Sequence, residues 1–151
     1  MDQYNQIPII KLWHLLLVPL QGEMTDDVAS RLMSDVLDRI YRDGSSGLVI
    51  DITGLWIIDS HLCSVLSQIS DVAALMGAKT VICGMKPEIA LTLETMGVHL
   101  ANITSSLDLE GALVLLGVKP PNPNDVKKGL IPNRDYGAGP AQQNLAGGDH
   151  A

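Results

Sequence analysis

The five residues Leu48-Val-Ile-Asp-Ile52 constrain the fold most. A run this short is a strand rather than a helix, and its aliphatic composition suits burial on both faces of a mostly parallel sheet. Such a strand needs helices to cover it, and the chain supplies one on each side. Upstream, Thr25-Asp26-Asp27 offers an N-cap and two anions for a helix start. Met24, Val28, Leu32, Val36 and Ile40 then recur at a spacing of four, and Asp43-Gly44 is the stop signal. Downstream, the corner Asp59-Ser60 opens a second pattern, in which Leu62, Val65, Leu66, Ile69, Val72, Ala73 and Met76 follow helical spacing up to Gly77.

The remaining elements follow from the same signals. Residues 7–13 and 15–20 form two short apolar runs broken around Trp13-His14, which predicts an initial pair of strands. Residues 79–84 predict another strand. Pro87 suits the first turn of a third helix with Ile89, Leu93 and Met96 on one face and Gly97 at its end. A short strand around Asn102-Ile103 and a last helix follow, the helix beginning near Ser105-Ser-Leu-Asp108 in a capping-box pattern and running to Gly117. This alternation predicts an α/β domain, with helices packed on a small mixed, mostly parallel sheet of about four strands.

With 151 residues, one sizeable core is the expectation and a second full domain is not. The chain contains no Phe, so the core must be aliphatic. The composition breaks near Val118. Beyond it lie five of the eight prolines and five of the fourteen glycines, with no helical or strand period. We therefore expect a domain over residues 1–118 and a flexible tail over 119–151, in which the apolar patch Gly129-Leu-Ile-Pro132 reads as part of a linker. A formal charge of −7 argues against nucleic acid or an anionic membrane surface as partner. Cys63 and Cys83 lack metal-ligand spacing and sit among apolar residues, as buried reduced thiols do. No stretch reaches the length of a membrane span, and the start MDQYNQIP lacks the regions of a signal peptide, so the expected location is cytoplasmic.

Catalytic signatures are missing from the sequence. There is no dinucleotide fingerprint, phosphate loop, nucleophile elbow or zinc-protease motif. Gly44-Ser-Ser-Gly47 precedes a strand and reads as a turn, and His14, His61, His99 and His150 are scattered without ligand spacing, so no metal or cofactor is expected. Ser60 and His61 are helix neighbours that point in different directions and cannot act as nucleophile and base. Asp51 is read as the end of its strand, either functional by position or a cap. Trp56 just before the corner is either a partner contact or a ring covering the core edge. Three readings of Asp59-Ser60 stay open on residue chemistry: a plain helix cap, a nucleophile, or a phosphate acceptor whose phosphate would meet free backbone amides at the helix start.

A resemblance adds weight to the last. Leu48-Val-Ile-Asp-Ile-Thr followed by Ile57-Ile-Asp-Ser60 and a helix resembles the STAS domain of bacterial anti-sigma-factor antagonists. Ile7-Pro-Ile-Ile-Lys-Leu12, Leu16-Leu-Val18, Ala74-Leu-Met-Gly-Ala-Lys79 and Leu107-Asp-Leu-Glu110 resemble the small scaffold branch of that family, the RsbS type of the stressosome, over residues 7–117. Sporulation-type antagonists usually carry small residues after the Asp-Ser pair. Here His61-Leu-Cys-Ser64 departs from that type and agrees with the scaffold type. The first strand begins at about residue 7, so the large sensor domain of the paralogous RsbR type is not expected.

The resemblance implies a non-catalytic protein phosphorylated at Ser60 by an RsbT-type serine kinase, with Asp59 as the capping neighbour. It further implies co-assembly with RsbR-type paralogues into a large complex that holds the kinase until stress, and resetting by an RsbX-type phosphatase. ATP and Mg²⁺ would belong to the kinase. The alternatives are a monomeric antagonist that binds an anti-sigma kinase directly through the same serine and, more weakly, a small hydrolase with Ser60 as nucleophile.

Overall fold

A computed structural model describes residues 6–98, 100, 103–120 and 122–129. The predicted alternation is present as β1 (Ile10–Leu12), β2 (Leu15–Gly22), α1 (Asp26–Asp43), β3 (Gly47–Leu55), α2 (Ser60–Leu75), β4 (Lys79–Cys83), α3 (Pro87–Thr95), β5 (Thr104–Ser106) and α4 (Leu109–Leu115), followed by α5 (Pro123–Lys127). The strands form one sheet in the order β1-β2-β3-β4-β5. Among the described residues only the β1–β2 hairpin is antiparallel, and the other three pairings are parallel.

Register sorts the side chains into two layers. Leu16 pairs with Leu48 and Val18 with Ile50, while Ile50 pairs with Ile82, and this face is buried under α1, α2 and α3 through Leu32, Val36, Ile40, Leu66, Ile69 and Ile89. The alternate residues Val49, Val81 and Cys83 face the other way and meet Ala112 of α4. Both faces of β3 are therefore covered, as its uninterrupted aliphatic run requires. Thr25 caps α1 by accepting from the Val28 N–H at 3.3 Å, and Gly44 closes it in the left-handed conformation at φ 62°.

Several expectations need correction. Among the described residues the sheet has five strands, where about four were expected. Its edge strand is Thr104–Ser106, beyond the expected Asn102-Ile103, of which Asn102 lies outside the described residues. Thr-Ser-Ser carries no aliphatic signal; its pairing is imposed by β4, with Val81 opposite Thr104 and Cys83 opposite Ser106. Ser105 and Ser106 thus belong to a strand and not to a capping box. The N-cap of α4 is Asp108, whose carboxylate accepts from the Gly111 N–H at 2.8 Å. Asp51 is not at a strand end but lies within β3, on the same face as Cys83.

The chain divides into two units, Met1–Val118 and Lys119–Ala151. Within the second, where no helical period was expected, Pro123 starts the single turn of α5, with Asn122 Oδ1 accepting from the Asn124 N–H at 3.1 Å. His99, His150 and the patch at 130–132 lie outside the described residues.

The Asp59-Ser60 corner as a candidate functional site

Strand β3 ends at the buried Leu55, and the chain must turn back over the sheet edge to start α2. The Trp56 N–H donates to the Gly22 carbonyl at 3.0 Å, which fixes the start of the turn, and the buried Ile58 anchors its end. Trp56 and Ile57 between them lie outside the core. Trp56 is 78% exposed, so most of its ring lies outside the core. Ile57 stands in solvent beside it, a feature the sequence does not show, because two adjacent isoleucines give no sign of which one is buried.

Asp59 adopts extended backbone (φ −114°, ψ 173°), and its Oδ1 accepts from the Leu62 N–H at 2.7 Å, so it is the N-cap of α2. Replacing Asp59 by alanine removes that acceptor and leaves the Leu62 donor to water. Urea unfolding should show a loss of about 1 kcal/mol, most of it restored by Asp59→Asn.

Ser60 is the first helical residue and is exposed. Among the described residues its hydroxyl has no hydrogen-bond partner. The N–H groups of Ser60 and His61 lack intrahelical acceptors, as at any helix start, and add the positive end of the α2 dipole. His61 does not serve Ser60. Its Nε2 lies 4.0 Å from Asp26 Oδ1, so it reaches across to the first turn of α1. Asp26 is thereby a neighbour of the corner, although the sequence explained it as a helix-start anion. Glu23, Asp26, Asp27 and Asp59 are all exposed here, so the corner is an apolar pair, Trp56 and Ile57, set against an acidic rim. No group of His, Cys, Asp and Glu able to hold a metal is present among the described residues.

The two thiols are buried. Burial, and then the charge of Asp59, pushes Cys63 up from its ordinary value, while burial followed by Asp51 and Asp108 pushes Cys83 up to about 11. The sign of the pH effect follows. Below the unfolded-state pKa near 9 both states hold the Cys83 proton; as pH rises towards 11 only the unfolded state loses it, so folding stability should fall over that window. Urea midpoints at increasing alkaline pH measure it, and Cys83→Ser should flatten the decline.

The STAS domain family matches residues 5–119. The chain belongs to the STAS family. Within it, this STAS domain resembles RsbS and its stressosome relatives. A Ser-to-Glu variant of Moorella thermoacetica RsbS is 34% identical, covering 73% of this chain and 93% of that one, with a TM-score of 0.65. A chain from the structure titled "Molecular architecture of the stressosome, a signal integration and transduction hub" is 32% identical, covering 72% and 95%, with a TM-score of 0.61. RsbRA of Bacillus subtilis strain 168, named as an RsbT co-antagonist protein, is 30% identical over 104 residues, 69% of this chain and 37% of that one. The chain therefore spans little more than a third of the length of RsbRA and of the other RsbT co-antagonist proteins it matches. The unphosphorylated anti-sigma factor antagonist SpoIIAA shares the fold at 13% identity and a TM-score of 0.59. No helix among the described residues is long and apolar enough to cross a membrane.

Proposed function

We propose that this STAS domain is a non-catalytic stressosome scaffold that holds an RsbT-type serine kinase and releases it on phosphorylation at Ser60. The observation that carries this is the corner itself: an exposed Ser60 hydroxyl at the start of α2, without a partner among the described residues, with His61 Nε2 4.0 Å from Asp26 Oδ1. A hydroxyl with no base of its own is not an activated nucleophile, and its exposure leaves it open to another protein's chemistry. The likeness to RsbS and to a stressosome chain, and to relatives named as RsbT co-antagonists, supports the same partner class.

The chemistry is a phosphoryl transfer run by the kinase. Ser60 Oγ attacks the terminal phosphorus of an ATP held by the kinase, the bond to the ADP oxygen breaks, and the hydroxyl proton passes to a kinase base. The new phosphate lies beside the free N–H groups of Ser60 and His61, which stabilise it without unwinding α2. It adds roughly −1.5 to −2 charges next to Glu23, Asp26, Asp27 and Asp59. A kinase whose contact buries Trp56 and Ile57 then loses its fit. In this account RsbR-type paralogues share the assembly, and an RsbX-type phosphatase removes the phosphate.

The site is tested by incubation with an RsbT-type kinase and ATP, followed by phosphopeptide mapping. The wild type should take phosphate at Ser60 and Ser60→Ala should remain at background. Equal labelling of Ser60→Ala and wild type would show the assignment to be wrong.

A further inference from the structure

Two elements bring negative charge to the corner, and one residue there can answer it. Among residues 23–28 and 54–62 the charged side chains are Glu23, Asp26, Asp27 and Asp59, and His61 alone can carry positive charge. Other charges lie further off. Arg31 is one turn beyond Asp27 on α1, while β3 and β4, which α2 also covers, contribute Asp51 on the opposite face of the sheet and Lys79 where β4 begins. The buried Cys63 thiol keeps its proton, because burial and the charge of Asp59 push it up. Of the four carboxylates, Asp59 is committed to its cap, its Oδ1 accepting from the Leu62 N–H at 2.7 Å. Asp26 is the one that meets His61, at 4.0 Å, with the imidazole side chain 42% exposed. The half-covered ring therefore bridges the starts of α1 and α2. An exposed pair of this kind is weak, so a stronger anion nearby displaces it.

A phosphate on Ser60 is that stronger anion. It carries roughly −1.5 to −2 charges against the single charge of Asp26, and it is tied to the residue next to His61. Neighbouring side chains on a helix do not face each other, so the coupling needs no direct hydrogen bond; it acts through space over roughly 6–8 Å. We propose that His61 is the counter-charge of phosphorylated Ser60, drawn from Asp26 to the phosphate when the phosphate arrives. This rests on the reading of Ser60 as a phosphate acceptor. Its consequence is that modification and protonation are linked at the corner. The imidazolium favours the phosphate dianion and the dianion favours the imidazolium, so the two titrate as a pair. A free imidazole and a free phosphoserine change charge at about pH 6.5 and 6, which places the linkage close to neutral pH. Asp26, left without its partner, adds to the acidic rim at the moment Ser60 is modified.

Phosphoserine inserted at position 60 during translation of the full chain makes the test independent of any kinase. NMR then follows the His61 ring through its imidazole signals and the phosphate through phosphorus. The His61 titration midpoint should rise by about half to one pH unit when residue 60 carries phosphate, and the rise should shrink in 1 M salt. In the unmodified chain, Asp26→Asn should lower the His61 midpoint, as loss of an acidic partner requires. In the phosphorylated chain, His61→Gln should move the phosphate titration to higher pH, an effect that a purely structural histidine would not have. A His61 midpoint that is the same with and without phosphate would overturn the proposal. So would a phosphate titration unmoved by His61→Gln, or a His61 midpoint unmoved by Asp26→Asn. None of these results would touch the kinase-substrate reading, which stands or falls on the labelling of Ser60→Ala.

Discussion

Leu66→Ala should lower the stability of the domain by about 3–4 kcal/mol, with a fall in thermal midpoint on the order of 10 °C. Leu66 is fully buried on the face of α2 that packs against the sheet, in the cluster that holds Ile50, Ile82 and Ile69. Truncation removes three carbons from a site closed by a rigid helix and a sheet, so the cavity cannot collapse and its cost adds to the lost transfer free energy. Leu75→Ala on the same helix is the control. That side chain is exposed, so urea unfolding should report a change within about 0.5 kcal/mol. Equal losses at the two positions would mean that α2 packs through a different face, and Ser60 would then not be where it has been placed.

The second large effect is expected at Gly84, just past β4. Its φ is 79°, a conformation that costs a residue with a Cβ about 1–2 kcal/mol. The space is also taken: an added methyl would overlap Thr53 Oγ1 and press on Asp51 Oδ1 and the Thr53 N–H. Those atoms form a small clasp, because Asp51 Oδ1 accepts from the Thr53 N–H at 2.9 Å and from its hydroxyl at 2.6 Å. Gly84→Ala must open the clasp as well as strain the backbone, and about 3 kcal/mol should be lost in all. In the double variant Thr53→Ala with Gly84→Ala, removing the colliding hydroxyl should return part of that loss while the backbone term remains. Full additivity of the two single changes would show that the collision is not the cause.

Elements that declare themselves by period and by caps were legible before any coordinates. Helices α1 and α2 start at Thr25 and Asp59 because those side chains satisfy otherwise free amides, and a three-to-four spacing of aliphatic residues needs no tertiary context to be seen. Strand β5 failed that test, since Thr104–Ser106 is a strand only because β4 offers it a ladder. Asp51 was misplaced because β3 continues through polar Thr53 and Gly54 to Leu55, where the aliphatic signal stops too early. At the site, the cap geometry of Asp59 and the separation of Ser60 from His61 follow from local helix rules. The approach of Asp26 to His61 does not, because it arises from the packing of two helix starts that are far apart in sequence. The strained Trp13 was equally hidden: the break around Trp13-His14 marked a turn, but not its left-handed backbone.

Phosphate on Ser60 is proposed to release a kinase. The most direct measurement is co-sedimentation of an RsbT-type kinase with assemblies of this chain and an RsbR-type paralogue, before and after stoichiometric phosphorylation at Ser60. The account predicts that the kinase pellets with the unphosphorylated assembly and moves to the supernatant once Ser60 carries phosphate, whereas assemblies of Ser60→Ala retain it throughout. Retention by the phosphorylated assembly equal to that by the unphosphorylated one would contradict it.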